Sequence, residues 1–201
     1  MKSAPVIIDF LRHGQVTGVP CFNGITDPPL TQGGWDAMTK ACETSQRADG
    51  IITSPLRRCA AFAHEWGKKH QIPVTIAPDW REYAFGLWDG RTTEEIMTLD
   101  PQGLAAFWQD PTNHPPPHGE SMAHFQARIA ASVQDALHTP AKGHLLVVTH
   151  GGVMRQLAAQ LLQRPFQEMW SMDIPPATLL RTVFIPGIKT ASPKLFYMGP
   201  A

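Results

Sequence analysis

Apolar residues along the chain gather into three short runs, each ending in a polar turn. Val6-Ile7-Ile8-Asp9-Phe10-Leu11 stops at Arg12-His13-Gly14, Gly50-Ile51-Ile52-Thr53 at Ser54-Pro55, and Leu145-Leu146-Val147-Val148 at Thr149-His150-Gly151-Gly152. Runs that are apolar on both faces and rich in β-branched residues suit strands in the middle of a sheet covered by helices on each side. A helical spacing follows each of them. Thr31 to Ala48 opens on a capping hydroxyl and carries Trp35, Met38 and Cys42 on one stripe. Ser54 is predicted to cap a helix opened by Pro55 and running through Leu56, Cys59, Phe62, Ala63 and Trp66. Phe125, Ile129, Val133 and Leu137 mark a helix over Ser121 to Leu137, and Val153, Leu157 and Leu161 mark another ending at Leu162. Alternating strands and helices of this kind predict an open α/β sheet, in which ligands bind at the carboxyl ends of the strands.

Two regions break this rhythm. Pro101 to Gly119 contains Phe107-Trp108, Asp110-Pro111 and His114-Pro115-Pro116-Pro117-His118. Prolines lack the N–H and clash with a preceding helical turn, so the stretch is predicted to be irregular, a rigid wall over a site. Near the end, Leu179 to Ile185 and Lys194 to Tyr197 read as further strands.

Composition narrows the class. A length of 201 residues with 43% hydrophobic and 17% charged positions predicts one domain over 1–201 with a real core. Seventeen basic residues balance seventeen acidic ones, which argues against a nucleic-acid partner but leaves room for a local cationic pocket. The cysteines at 21, 42 and 59 form no CxxC pair and read as reduced thiols. Asp9 interrupts the N-terminal apolar run before it reaches signal-peptide length, and nothing approaches a membrane span. The sequence thus predicts a soluble, cytoplasmic chain without a membrane partner.

The candidate chemistry lies at the strand ends. If the first and last of the three strands are neighbours, His13, His150 and Arg12 meet at one sheet edge, an arrangement suited to phosphoryl transfer through a phosphohistidine. A neutral imidazole is already a nucleophile near physiological pH. The transferring group spreads negative charge over its oxygens, which an arginine fork grips in pairs. Arg12 supplies one fork, and Arg57, in the first turn after Ser54-Pro55-Leu56, is predicted to supply the other. Backbone N–H groups at Gly151 and Gly152 would face the anion at a helix start. Glu82, flanked by Tyr83 and Phe85, is a candidate acid for the leaving alkoxide. The remaining histidines fit no metal-binding spacing. Trp35, Trp66 and Trp170 read as packing residues, whereas Phe85, Trp88 and Trp108 stand closer to the candidate site.

Together, Leu11-Arg12-His13-Gly14, Gly24-Ile25-Thr26-Asp27-Pro28-Pro29-Leu30-Thr31, Ser54-Pro55-Leu56-Arg57-Arg58, Glu82 before Phe85-Gly86-Leu87-Trp88-Asp89-Gly90, Gly119-Glu120-Ser121 and Thr149-His150-Gly151-Gly152 resemble the histidine phosphatase superfamily, also called phosphoglycerate-mutase-like. The resemblance spans most of the chain in the family's own order. It implies a three-layer α/β/α sandwich with a mostly parallel central sheet, no metal and no organic cofactor. It further implies that His13 is phosphorylated, that Arg12, Arg57 and His150 hold the phosphoryl group, and that Glu82 donates the proton. Many members carry an Asn five residues after the nucleophile's glycine; Val19 stands there, and Asn23 is a candidate substitute. Cys21-Phe22-Asn23-Gly24, Phe107-Trp108 and Pro115-Pro116-Pro117-His118-Gly119-Glu120-Ser121 resemble a subgroup, the α-ribazole phosphatases of cobalamin nucleotide-loop assembly.

The resemblance implies a small phosphomonoester as the partner. Gln15, Phe22, Asn23 and Trp108 are the candidate contacts to its organic part. Little chain follows Ile185 except one strand-like piece, and no long charged tail is available to exclude water, which favours hydrolysis over a mutase reaction. α-Ribazole 5′-phosphate is the expected substrate. A broad or sugar-phosphate-directed phosphatase or mutase with the same machinery is the alternative, followed by a non-catalytic module that binds a phosphorylated ligand.

Overall fold

The computed structural model describes residues 5–45, 47–139 and 143–184, together with the strand 194–198. Six strands form one sheet in the order β3-β2-β4-β1-β5-β6. They are β1 (Val6–Arg12), β2 (Gly50–Thr53), β3 (Val74–Ile76), β4 (His144–Thr149), β5 (Leu179–Phe184) and β6 (Lys194–Met198). The pairs β3-β2, β2-β4 and β4-β1 are parallel, while β5 and β6 are antiparallel to their neighbours. Ile185, expected to end β5, lies outside the described residues.

Alternate residues of the strands feed two cores. Ile8, Phe10, Leu145 and Val147 pack with α5 (Met122–Leu137) and α6 (Gly151–Leu161) on one face. Leu11, Leu146 and Val148 pack with α1 (Gln32–Glu43) and α2 (Arg57–His70) on the other. This is the expected three-layer α/β/α sandwich. No helix among the described residues is long and apolar enough to cross a membrane.

Three local expectations are corrected and two elements are added. Helix α1 begins after Thr31, whose side chain accepts from the Gly34 N–H, but it ends at Glu43 rather than Ala48. There Ser45 leaves the helical path and its hydroxyl bonds the Asp9 carboxylate at 2.5 Å. Ser54 does not cap α2, whose N-cap is Leu56. The carboxylate of Asp27 takes that place, accepting from the Arg57 N–H at 2.6 Å. The stretch expected to be irregular from Pro101 in fact opens with α4 (Pro101–Gln109). Asp100 caps it and Pro101 occupies the first turn, where a missing N–H costs nothing. Finally, β3 and α3 (Thr93–Leu99) escaped the sequence pattern; the latter opens on a capping box between Thr92 and Glu95.

One charge sits inside the sheet. Asp9 is fully buried. Its carboxylate accepts two bonds from Arg181 at 2.8 Å each, one from His144 Nε2 at 2.9 Å and one from Ser45. Burial alone would raise the Asp9 pKa; Arg181, then His144 and Ser45, outweigh it and hold it at about 2. A pKa below that of the unfolded chain stabilises the fold above about pH 4, by on the order of 2 kcal/mol, and this is lost as the pH falls toward 2. Equilibrium unfolding in urea at pH 7 and pH 3 measures it. Asp9→Asn is expected to flatten the acid loss, and an unchanged pH dependence would contradict the assignment.

Candidate active site

In the register of the β1–β4 pair Arg12 faces Thr149, so both strands stop together and release His13 and His150 at one edge. The His13 N–H donates to the Thr149 carbonyl at 2.9 Å. The two imidazoles stand edge to face with centroids 5.2 Å apart. His13 Nδ1 lies 2.8 Å from the Gly14 carbonyl oxygen. A carbonyl only accepts, so Nδ1 carries the proton and Nε2 keeps its lone pair. Burial first, then the charges of Arg58 and Arg12, push the His13 pKa down to about 3 despite the opposing bond to Gly14. The ring is therefore neutral and nucleophilic at neutral pH.

His150 is fully buried at the N-cap of α6. Its Nε2 lies 2.7 Å from Ser54 Oγ, and the Cys59 thiol lies against the ring. Burial, followed by Arg58 and His13, holds its pKa well below the ordinary histidine value.

Three arginines surround the pair, and only one was anticipated. Arg12 Nη1 donates to the Ile174 carbonyl, while its buried Nε has no hydrogen-bond partner among the described residues. Burial and then neighbouring Arg155 push its pKa down to about 10, so it stays charged at pH 7. The structure does not bring Arg57 to the site: it is exposed, and its guanidinium donates to the Asp27 carbonyl. The next residue, Arg58, is the one turned inward and is fully buried. Its two Nη atoms donate to the carbonyls of Thr26, Asn23 and Gly24 and to the Asp27 carboxylate. The spacing held the signal, since Arg58 shares the inward stripe with Phe62, one helical turn on. Arg155 was missed in the same way; one turn beyond Gly151, its side chain reaches back toward the start of α6. A methyl group on Gly151 would lie 3.0 Å from a guanidinium nitrogen of both Arg12 and Arg155.

Glu82 faces these cations. Its Oε2 accepts from the Gly152 N–H at 3.0 Å and its Oε1 from the Tyr83 N–H at 2.9 Å. A methyl group on Gly152 would come within 2.4 Å of that carboxylate. Arg128 of α5 braces the segment behind it, donating to the carbonyls of Asp79, Arg81 and Glu82 and to the Glu120 carboxylate. The proline stretch serves the same loop. Leu87 N–H donates to the Pro117 carbonyl at 2.9 Å, and Gly86, at φ 56°, has no room for a side chain against that strand of backbone.

A cavity of about 680 Å³ opens above His13, lined by Arg12, Gln15, Val19, Phe22, Asn23, Glu82, Phe85, Arg155 and Trp170 among others. Three expectations change here. Trp88 and the proline wall lie behind the cavity rather than on it. Trp108 packs on Phe22 and Trp170, with centroids at 6.0 Å in each case, so it supports the wall from outside. Trp170, read as packing, is itself part of the lining. Asn23 lies on the lining, but its side-chain oxygen already accepts from the Cys21 thiol at 3.1 Å. No cluster suited to a metal ion occurs among the described residues.

Comparison with known proteins gives a consistent outcome. The profile of the histidine phosphatase superfamily (branch 1) matches residues 8–191. The adenosylcobalamin/alpha-ribazole phosphatase of Salmonella typhimurium is 29% identical over 171 residues, covering 82% of this chain and 83% of that protein. Its Escherichia coli namesake is 27% identical over 170 residues, again covering 82% and 83%. The structure of Bacillus stearothermophilus YhfR superposes with a TM-score of 0.85 at 26% identity, covering 98% of both chains.

The geometry separates the two adjacent arginines. Arg58→Gln is expected to weaken orthophosphate binding by about 10-fold or more, the usual scale for losing a charged partner of an anion. Arg57→Gln is expected to leave it within about 2-fold, as for an exposed side chain. Calorimetric titration with orthophosphate measures both, with thermal unfolding as a control for folding. Equal losses would contradict the placement.

Proposed function

The chain belongs to the histidine phosphatase superfamily, and from that premise we propose that it is a phosphomonoesterase acting through a phosphohistidine at His13, with α-ribazole 5′-phosphate as its substrate. The observation that carries the reading is the state of His13: a neutral ring, its proton tied to Gly14, its free nitrogen at the floor of a cationic cavity. Nε2 attacks phosphorus as the bond to the ester oxygen breaks. Arg12 and the N-terminal end of α6 take up the charge on the phosphoryl oxygens, with Arg58 a fixed charge behind both imidazoles. Protonated Glu82 gives its proton to the departing alkoxide. The resulting carboxylate then takes a proton from water, whose oxygen attacks phosphorus; the P–N bond breaks, and orthophosphate and free His13 remain.

Two further facts support the choice of substrate. Phe22, Phe85 and Trp170 line one side of the cavity, and Phe22 and Phe85 meet edge to face at 5.0 Å, a wall suited to a flat aromatic base. Two relatives of 27% and 29% identity carry the name adenosylcobalamin/alpha-ribazole phosphatase.

The test is a panel of phosphomonoesters ranked by kcat/KM. α-Ribazole 5′-phosphate is expected to exceed 3-phosphoglycerate and simple sugar phosphates by about 10-fold or more, the scale of one good aromatic contact. Equal rates would leave the phosphatase and remove the substrate. In the same panel Glu82→Gln is expected to slow alkyl esters by about 10²- to 10⁴-fold while sparing aryl esters whose leaving groups need no proton. Full turnover of alkyl esters by that variant would remove the acid role.

A further inference from the structure

Ser54 lies outside the machinery assigned above, yet it is buried against it. Both Ser54 and His150 are fully inaccessible, so their 2.7 Å contact is shielded from water and its polarity matters. The hydroxyl has one proton to give. Its oxygen accepts from the Leu56 N–H at 3.3 Å, which turns the O–H away from that amide. Cys59 Sγ also lies 3.6 Å from Nε2, but a thiol is the weaker donor and has the Thr149 carbonyl at 3.4 Å as an acceptor. Nothing else among the described hydrogen bonds competes for His150 Nε2.

We propose that Ser54 is a positioning residue: its hydroxyl donates to His150 Nε2 and thereby fixes His150 as the neutral Nδ1–H tautomer. His150 can then donate a hydrogen bond to a phosphoryl oxygen while uncharged. An imidazole this deeply buried beside Arg58 and Arg12 is not readily made a cation, so neutral donation is the way open to it. The opposite tautomer would point a lone pair at the oxyanion and repel it.

The inference rests on the phosphatase reading for its purpose but not for its test. In the wild-type protein, nitrogen-15 NMR of the imidazoles at neutral pH, with the His150 signals assigned by their loss in His150→Gln, reports which nitrogen bears the proton. Protonated Nδ1 and bare Nε2 are expected; protonated Nε2 overturns the proposal whether or not the enzyme turns over any ester. Ser54→Ala is expected to mix the tautomers and to lower kcat/KM roughly 10- to 100-fold, as for losing one oriented donor. Ser54→Thr, which keeps the hydroxyl, is expected to restore both. A Ser54→Ala protein with unchanged tautomer and rate would also overturn it. Loss of activity throughout, with the wild-type tautomer as expected, would count against the phosphatase reading alone.

Discussion

The parallel pairing of β1 with β4 is the constraint on which the site depends. Two strands distant in sequence, in the register Ile8 with Leu145 through Arg12 with Thr149, end level with each other. A slip of one residue would turn the side chains of one strand to the opposite faces of the sheet. Apolar residues on both faces hold that register, since Ile8 and Phe10 belong to one core and Leu11 to the other. The buried Asp9 sets a further lock between β1, β4 and β5 through His144 and Arg181. The two imidazoles meet because the cores beneath them allow one alignment.

Around them the protein assembles positive charge without protonating its histidines. Arg58 is held by three carbonyls and Asp27, and Arg12 and Arg155 crowd over Gly151. Burial and these charges keep both rings neutral, one as a nucleophile and the other as a neighbour. Like charges brought together in a partly buried site are costly on their own, and a bound anion relieves that cost. Such preorganisation is the means by which a protein can favour a charge-spread phosphoryl group without moving at the moment of reaction.

Much of this was legible in the residues. The three apolar runs became β1, β2 and β4 nearly to the residue, and Ser121 and Thr31 cap the helices their spacing implied. His13 and His150 converge as the strand ends suggested, with Arg12 beside them, and Glu82 joins them through the Gly152 N–H. The choice between Arg57 and Arg58 was not legible from the motif alone. It turns on where the helix begins, and Asp27, thirty residues earlier, decides that by taking the cap in place of Ser54. The cavity wall was hidden for a related reason. Trp108 and Trp170 differ in exposure to ligand only through the packing of distant segments, which no local pattern records. Helix α4 was obscured because Pro101 reads as a breaker unless its place in a first turn is known.

The most direct measurement is rapid acid-free quenching of the protein during turnover of a phosphomonoester, followed by peptide mass spectrometry under alkaline conditions that preserve phosphoramidates. A phosphoryl group on His13, gained and lost at rates fast enough to account for turnover and missing from His13→Ala, is the predicted result. Release of orthophosphate at the full rate with His13 unmodified, or with the label on another residue, would contradict it.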